Sequence, residues 1–206
     1  FGGLMAKLRK LKVAAVLDVT SLGFLIGQAI GRWGNFVNQE AFGTATDLPW
    51  GMVSDNTQAV VGSSPVHPCF LYESLLCVAG FVLLHFFNLY LRRYDGQTFL
   101  LYIVWYGACR FFIEGLRTDS LYLSDWTIAG QPIRVSQVLS LVLMIAALAV
   151  LFYNIRLHPH KPEELYVNIV AAREAAQAEE PAEAPETAEP AEAPEAPEVP
   201  EESSEE

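Results

Sequence analysis

Gly31-Arg32-Trp33-Gly34-Asn35-Phe36-Val37-Asn38-Gln39-Glu40-Ala41-Phe42-Gly43 is where a long apolar run gives way to a dense polar and glycine-rich group. Upstream of it, Val13 to Ile30 carries a single charge, Asp18. That length and composition describe a membrane-spanning helix, so Arg32 and Asn35 sit at or just inside its end. An arginine in a span costs roughly 2.5–3.5 kcal/mol at mid-bilayer and less near the interface, and such residues usually mark a pathway or a site. The alternative is an arginine that snorkels from a helix end.

Three further apolar stretches follow, giving four expected spans at about 13–31, 69–91, 98–117 and 133–155. The third reaches membrane length only by running on through Arg110 and Glu114. The expected fold is therefore all-α, a polytopic helical integral membrane protein with a disordered acidic C-terminal tail. Residues 1–12 read as the end of a truncated transmembrane helix followed by a basic cytoplasmic loop. Residues 13–157 read as the transmembrane domain that carries the candidate site, and 158–206 as a cytoplasmic tail.

Hydrophobic residues make up 52% of the 206, and mean hydropathy is +0.26, high for a chain with a polar tail. Residues 171–206 carry 13 Glu against one Arg, which leaves about +1 of the total −11 for everything before them. The acidity thus says nothing about the working domain's partners. With recurring Glu-Ala-Pro units and no aromatic residue, the tail from about 171 lacks the apolar surface to offset ordering entropy.

Lys7 to Lys12, Arg92-Arg93, and Arg156 with Lys161 fall at alternate ends of successive spans, so all three clusters share one face. By the positive-inside trend that face is cytoplasmic, and the tail hangs from it. Arg32, Arg110, Arg117 and Arg134 fall on the opposite side and violate the trend, which makes them candidates for function. The segment Thr44 to Val66 on that side has no Lys or Arg, and reads equally as a substrate contact or a plain connection.

Gly23, Gly27 and Gly31 recur every four residues along the first span and predict close approach by a neighbouring helix. Gly34 and Gly43 bracket the helix exit, and a bend back toward the membrane would bring Asn38 and Glu40 near Arg32. In Ser64-Pro65-Val66-His67-Pro68, Pro68 suits the first helical turn and places His67 at the interface, as a cap or as a reactive group. Tyr72 fits an interfacial anchor or a substrate contact, and Glu73 lies a turn inside, near the positive end of the helix.

At about 100° per residue, Tyr106, Arg110, Glu114 and Arg117 fall within an arc of roughly 80°. Arg110 and Glu114 are spaced as an i,i+4 pair, which allows a purely structural ion pair. Two arginines against one glutamate leave surplus positive charge, to which Arg32 adds, and planar cationic forks at headgroup depth suit a phosphate. Cys69, Cys77 and Cys109 form neither a Cys-x-x-Cys unit nor a disulfide framework and read as small core residues. No Walker loop, His-Glu-x-x-His pair or Gly-x-Ser-x-Gly elbow is present, so no metal or cofactor is expected. Nothing points to nucleic acid. The residues by themselves leave two readings, an enzyme acting on phospholipid or a transporter for an anion or lipid headgroup.

The motif Gly31 to Glu40, then His67-Pro68 with Leu71-Tyr72-Glu73, then Tyr106-Gly107 with Arg110, Glu114 and Arg117, resembles the successive motifs of the bacterial prolipoprotein diacylglyceryl transferase family. The resemblance runs from about Lys7 to Arg156. It implies a multi-pass plasma-membrane transferase in lipoprotein biosynthesis, moving the diacylglyceryl group of phosphatidylglycerol to the lipobox cysteine of a prolipoprotein signal peptide. A thioether forms and glycerol phosphate leaves. Carried over by position, Arg32, Asn35, Glu40, Arg110 and Glu114 become catalytic candidates, and Arg32, Asn35, Gly43, His67, Tyr72, Arg110 and Arg117 substrate-binding ones. Membrane lipids complete the expected partners. The resemblance also places the family's His-Gly-Gly histidine ahead of Phe1, because Phe1-Gly2-Gly3 stands close to the basic run.

Overall fold

The structure, a computed structural model, describes residues 2–119, 121–128, 131–158 and 160–179. It is helical, with seven α-helices among the described residues: α1 (Gly2–Leu8), α2 (Val13–Val37), α3 (Asp55–Val61), α4 (Cys69–Tyr90), α5 (Gln97–Glu114), α6 (Val135–Phe152) and α7 (Tyr166–Glu179). A short antiparallel pair, β1 (Tyr122–Ile128) and β2 (Gln131–Arg134), bridges α5 and α6. Three helices are long and apolar enough to cross a membrane, at Val13–Val37, Cys69–Tyr90 and Val135–Leu157. Such a chain is a multi-pass helical membrane protein. α5 packs among them with 18 residues, its apolar length interrupted by Arg110 and Glu114.

α2 packs on α4, α5 touches both, and α6 lies along α5. Leu22, Leu25, Ala29, Cys77 and Leu84 form the buried core, closed by Phe81, Leu101, Tyr102, Trp105 and Tyr106. Large apolar side chains such as Val19, Phe24, Ile30, Leu83, Phe86, Leu139 and Ile145 face outward. In a membrane that surface meets lipid, so its exposure carries no penalty. Polar cross-links fix the helix registers where lipid-like packing alone would slide. Trp33 Nε1 donates to Ser74 Oγ (3.2 Å), whose hydroxyl donates to Ala29 O (2.9 Å), and Gln28 Nε2 donates to Tyr102 OH (2.9 Å).

Two expectations need correction. α2 does not stop near residue 31 but continues to Val37, because Trp33 and Phe36 pack on Phe70, with ring centroids 5.4 and 4.8 Å away. The helix ends just beyond, where Gln39 takes a left-handed φ of 53°. The glycine stripe also fails as a packing signal: a Cβ on Gly23, Gly27, Gly31 or Gly34 would meet nothing within 4 Å. Within α4 and α5, the glycines that admit a neighbour are Gly80, against the Trp105 indole, and Gly107, where a Cβ would lie 3.2 Å from Ser140 O.

α7 is a continuous helix that covers residues 171–179, where the sequence predicts the start of a disordered tail. Its Ala-rich run with Arg and Glu has high helix propensity and no proline. The remainder of the acidic tail, 180–206, lies outside the described residues.

Candidate active site at one end of the bundle

The end of α2, the start of α4 and the end of α5 meet at the same level, and each contributes one element of a charged cluster. Glu73, only 4% exposed, is its hub. Arg32 Nε lies 2.5 Å from Glu73 Oε2, Arg110 Nη1 donates to Oε1 at 2.9 Å, and Arg117 Nη1 stands 4.0 Å from the same oxygen. Arg110 also donates through Nη2 to Glu114 Oε2 (2.7 Å), and Arg32 donates through Nη2 to Tyr106 OH (3.2 Å). Arg117 is held in turn by Asp119, with Nε and Nη2 donating at 2.9 and 2.6 Å. The Arg117 guanidinium, through these hydrogen bonds, keeps the Asp119 carboxyl below its usual range, with a smaller contribution from Arg110.

This geometry revises the charge argument. The surplus positive charge expected from Arg110, Arg117 and Arg32 against Glu114 is met by Glu73 and Asp119, so three arginines face three carboxylates. Burial explains the balance, since an uncompensated cation there would cost several kcal/mol. The cluster still keeps capacity for an anion, because each guanidinium has five N–H donors and these contacts use only some of them. Glu73 was noted in sequence only as a dipole-stabilised carboxylate. Its signal was its position as an acidic residue inside an apolar span, which needs a partner.

Asn35 lies one turn beyond Arg32 on α2, and among the described residues its side-chain amide has no hydrogen-bond partner. Glu40 is exposed and accepts from Asn38 Nδ2 (3.1 Å). The carboxylate at Arg32 is Glu73, so the structure does not bring Glu40 and Arg32 together as the bend-back reading expected.

His67 and Tyr72 form a second polar chain with Trp50. Trp50 Nε1 donates to Tyr72 OH (2.8 Å), which lies 3.2 Å from His67 Nδ1. The phenol oxygen thus joins the indole and the imidazole in one hydrogen-bonded chain. Loop Thr44 to Val66 thus reaches the site through Trp50.

Gly43 knits the three motif segments by main-chain bonds. Its N–H donates to His67 O (2.9 Å), Thr44 N donates to Leu116 O (2.9 Å), and His67 N donates to Thr44 O (3.0 Å). A Cβ on Gly43 would stand 2.7 Å from His67 Cβ, 3.0 Å from Cys69 Sγ and 3.1 Å from Leu116 O. Only glycine permits that approach. The isolated bridge between Gly43 and Arg117 explains how Arg117, past the end of α5, still reaches Glu73.

A crevice of about 450 Å³ opens beside Arg110 between α5 and α6, lined by Tyr102, Tyr106, Leu121, Leu139 and Leu143 among others. It joins an apolar wall to a cationic floor.

A family profile described as prolipoprotein diacylglyceryl transferase matches residues 2–153. The chain belongs to the prolipoprotein diacylglyceryl transferase family. It is 41% identical over 155 residues to the phosphatidylglycerol–prolipoprotein diacylglyceryl transferase of Finegoldia magna, covering 71% of this chain and 57% of that one. The enzyme of that name from Clostridioides difficile is 43% identical over 146 residues, 68% of this chain and 53% of its own. That of Bacillus velezensis is 39% identical over 164 residues, 74% and 56% respectively. The chain spans about half the length of the curated relatives it matches. Within that span, the three motifs that carry the family resemblance in sequence are the three segments that Gly43 ties together.

Proposed function

We propose that this protein transfers the diacylglyceryl group of phosphatidylglycerol to the cysteine thiol of a prolipoprotein signal peptide. The observation that carries the reading is the arginine pair Arg32 and Arg110, held on Glu73 beside an apolar crevice. A phospholipid is that combination inverted: a phosphate on two acyl chains. The names of the relatives point to the same substrates and chemistry.

In the reaction the cysteine sulfur forms a bond to the terminal glyceryl carbon, and the carbon–oxygen bond to the phosphate breaks. The electron pair leaves with glycerol phosphate, where negative charge grows. Arg32 and Arg110 are fixed beforehand by Glu73, Glu114 and Tyr106, so their free N–H groups meet that charge without reorganising. Asn35 orients the headgroup, Arg117 widens the cationic rim, and Tyr72 and His67 line the approach from the loop. The thiol proton must leave for sulfur to attack, because the thiolate is the nucleophile. An imidazole suits that proton, and His67, joined to Tyr72 through Nδ1, is the one beside this approach. Glu40 acts outside the arginine cluster, by accepting from Asn38 Nδ2.

The basic clusters support an orientation in which the site faces the outer side of the plasma membrane and the C-terminal segment is cytoplasmic. The test follows headgroup release and peptide modification together. Membranes bearing the protein receive a lipobox peptide and phosphatidylglycerol with labelled glycerol phosphate. Released label equimolar with peptide thioether, both lost in Asn35→Ala, supports the transferase. Labelled lipid that crosses the membrane intact, with no thioether, identifies a transporter instead.

A further inference from the structure

The opposite end of the bundle carries a second polar cluster that the transferase reading does not use. Four charged groups there answer one another. Asp18 pairs with Arg92 (3.3 Å), and Asp95 pairs with Lys12 (2.9 Å) and more distantly with Arg92 (3.9 Å). Two carboxylates are thus balanced by two cations, and the next residue, Arg93, is left over. Its guanidinium is exposed and, among the described residues, has no ion pair or hydrogen bond.

Arg93 lines a cavity of about 110 Å³ with Tyr94, Asn154, Ile155 and His160. That is well above the roughly 10–15 Å³ that one water needs on the same measure. Two of the lining side chains are unsatisfied. Tyr94 is 7% exposed and its hydroxyl is buried without a partner, as is His160 Nδ1. The two rings stack 4.7 Å apart, and His158 packs on His160 at 4.8 Å. Buried polar groups normally find partners, so paired orphans around one cavity call for an occupant. Burial raises the Tyr94 pKa, with a smaller push from Asp18, so the hydroxyl stays protonated and available as a donor.

The fourth polar residue, Asn154, sits in a widened π-helical turn, Tyr153–Leu157, a distortion frequent at functional sites. Its Nδ2 donates to Val150 O (2.9 Å), which leaves a second amide hydrogen. Guanidinium, phenol, imidazole and amide together line the space, and no carboxylate is among the described residues that line it. The cavity lies where α4 has ended, α5 begins and α6 gives out, at headgroup depth for spans of this length.

We propose that Arg93, Tyr94, Asn154 and His160 bind a phosphate group, carried by an anionic lipid headgroup or free in solution. The site is separate from the Arg32–Arg110 cluster and independent of the transferase reading.

The test uses the full chain, labelled with ¹⁵N-histidine, in a maltoside detergent that contains no phosphate. The His160 ring signal is assigned by its loss in His160→Gln, and His67 reports the other end of the bundle. Inorganic phosphate and short-chain phosphatidylglycerol are titrated separately at fixed pH and ionic strength. A saturable His160 shift with both probes, weakened about tenfold in Arg93→Gln by loss of a charge-assisted bond, supports the site with free phosphate sufficient. The same result with the lipid alone supports a headgroup as the source. No His160 shift with either probe, or an unchanged response in Arg93→Gln, overturns the proposal. Arg93 is exposed, so that variant retains the fold, and Tyr94→Phe gives an independent weakening.

Discussion

The two ends of the bundle bury carboxylates in different ways, and the difference separates a staple from a site. Asp18 is fully buried and accepts from Gly96 N (2.7 Å), Phe99 N (2.9 Å) and Arg92 (3.3 Å). Gly96, the N-cap of α5, has no side chain to satisfy the first turn, and Asp18 from α2 caps it instead. At the other end, the partners of the Glu73 carboxylate among the described residues are the arginine side chains Arg32, Arg110 and Arg117. Main-chain donors cannot be withdrawn, whereas guanidinium groups retain spare N–H donors that can turn to a ligand. The first arrangement spends its polarity on holding helices together, and the second holds cations ready for an anion.

Variants that strike one end and spare the other break or sharpen this contrast. The largest expected effect is Arg110→Ala, a loss of about 10²–10³ in the rate of peptide thioether formation, the scale for removing one donor to developing charge. A rate assay normalised to folded protein checks it. Asp18→Asn removes the nearer of the two buried carboxylates that Arg92 faces and disturbs the cap, and should cost about 3–5 kcal/mol of stability while activity per folded molecule is unchanged. Denaturation in mixed micelles reads the first and the same thioether assay the second. Gly43→Ala forces its Cβ onto His67 and the Leu116 carbonyl, costing about 1–3 kcal/mol by overpacking, with a matching fall in thermal midpoint.

The smallest effects concern surfaces. Gly27→Ala points into open space, so it should change stability by no more than about 1 kcal/mol, in the favourable direction expected for Ala over Gly in a helix. A large loss would reveal a helix covering that stripe. Asp119 supplies a pH dependence. Its folded pKa is depressed below the usual 3.8, so its contribution is present above that value and is lost as pH falls through the lower folded pKa. Half-exposed, it is a weak contributor, and Asp119→Asn should remove the small acid-side slope in the melting profile.

Much of this was legible in sequence, and the failures have physical causes. The apolar runs gave the helices because membrane burial demands long stretches of one polarity. Arg32, Arg110 and Arg117 stood out because charge in such a setting needs a reason, and the structure places all three around one carboxylate. Glu73 was harder to weight, since its partners come from helices dozens of residues away and only folding reveals a hub. Spacing likewise misled at Gly23, Gly27 and Gly31. A regular stripe shows that a neighbour can approach, but whether one does depends on how α4 and α5 share the surface of α2. Asp18 was counted as the one charge in a span. Its role as the cap of α5 was invisible because the capped helix lies about 80 residues downstream.

The most direct measurement of the central claim is intact mass of a lipobox peptide after incubation with phosphatidylglycerol and membranes holding equal folded amounts of parent, Arg110→Ala or Asp18→Asn. The account predicts a diacylglyceryl adduct on the cysteine with parent and with Asp18→Asn, and at least a hundredfold less with Arg110→Ala. Equal adduct from parent and Arg110→Ala, or no adduct from folded parent, would contradict it.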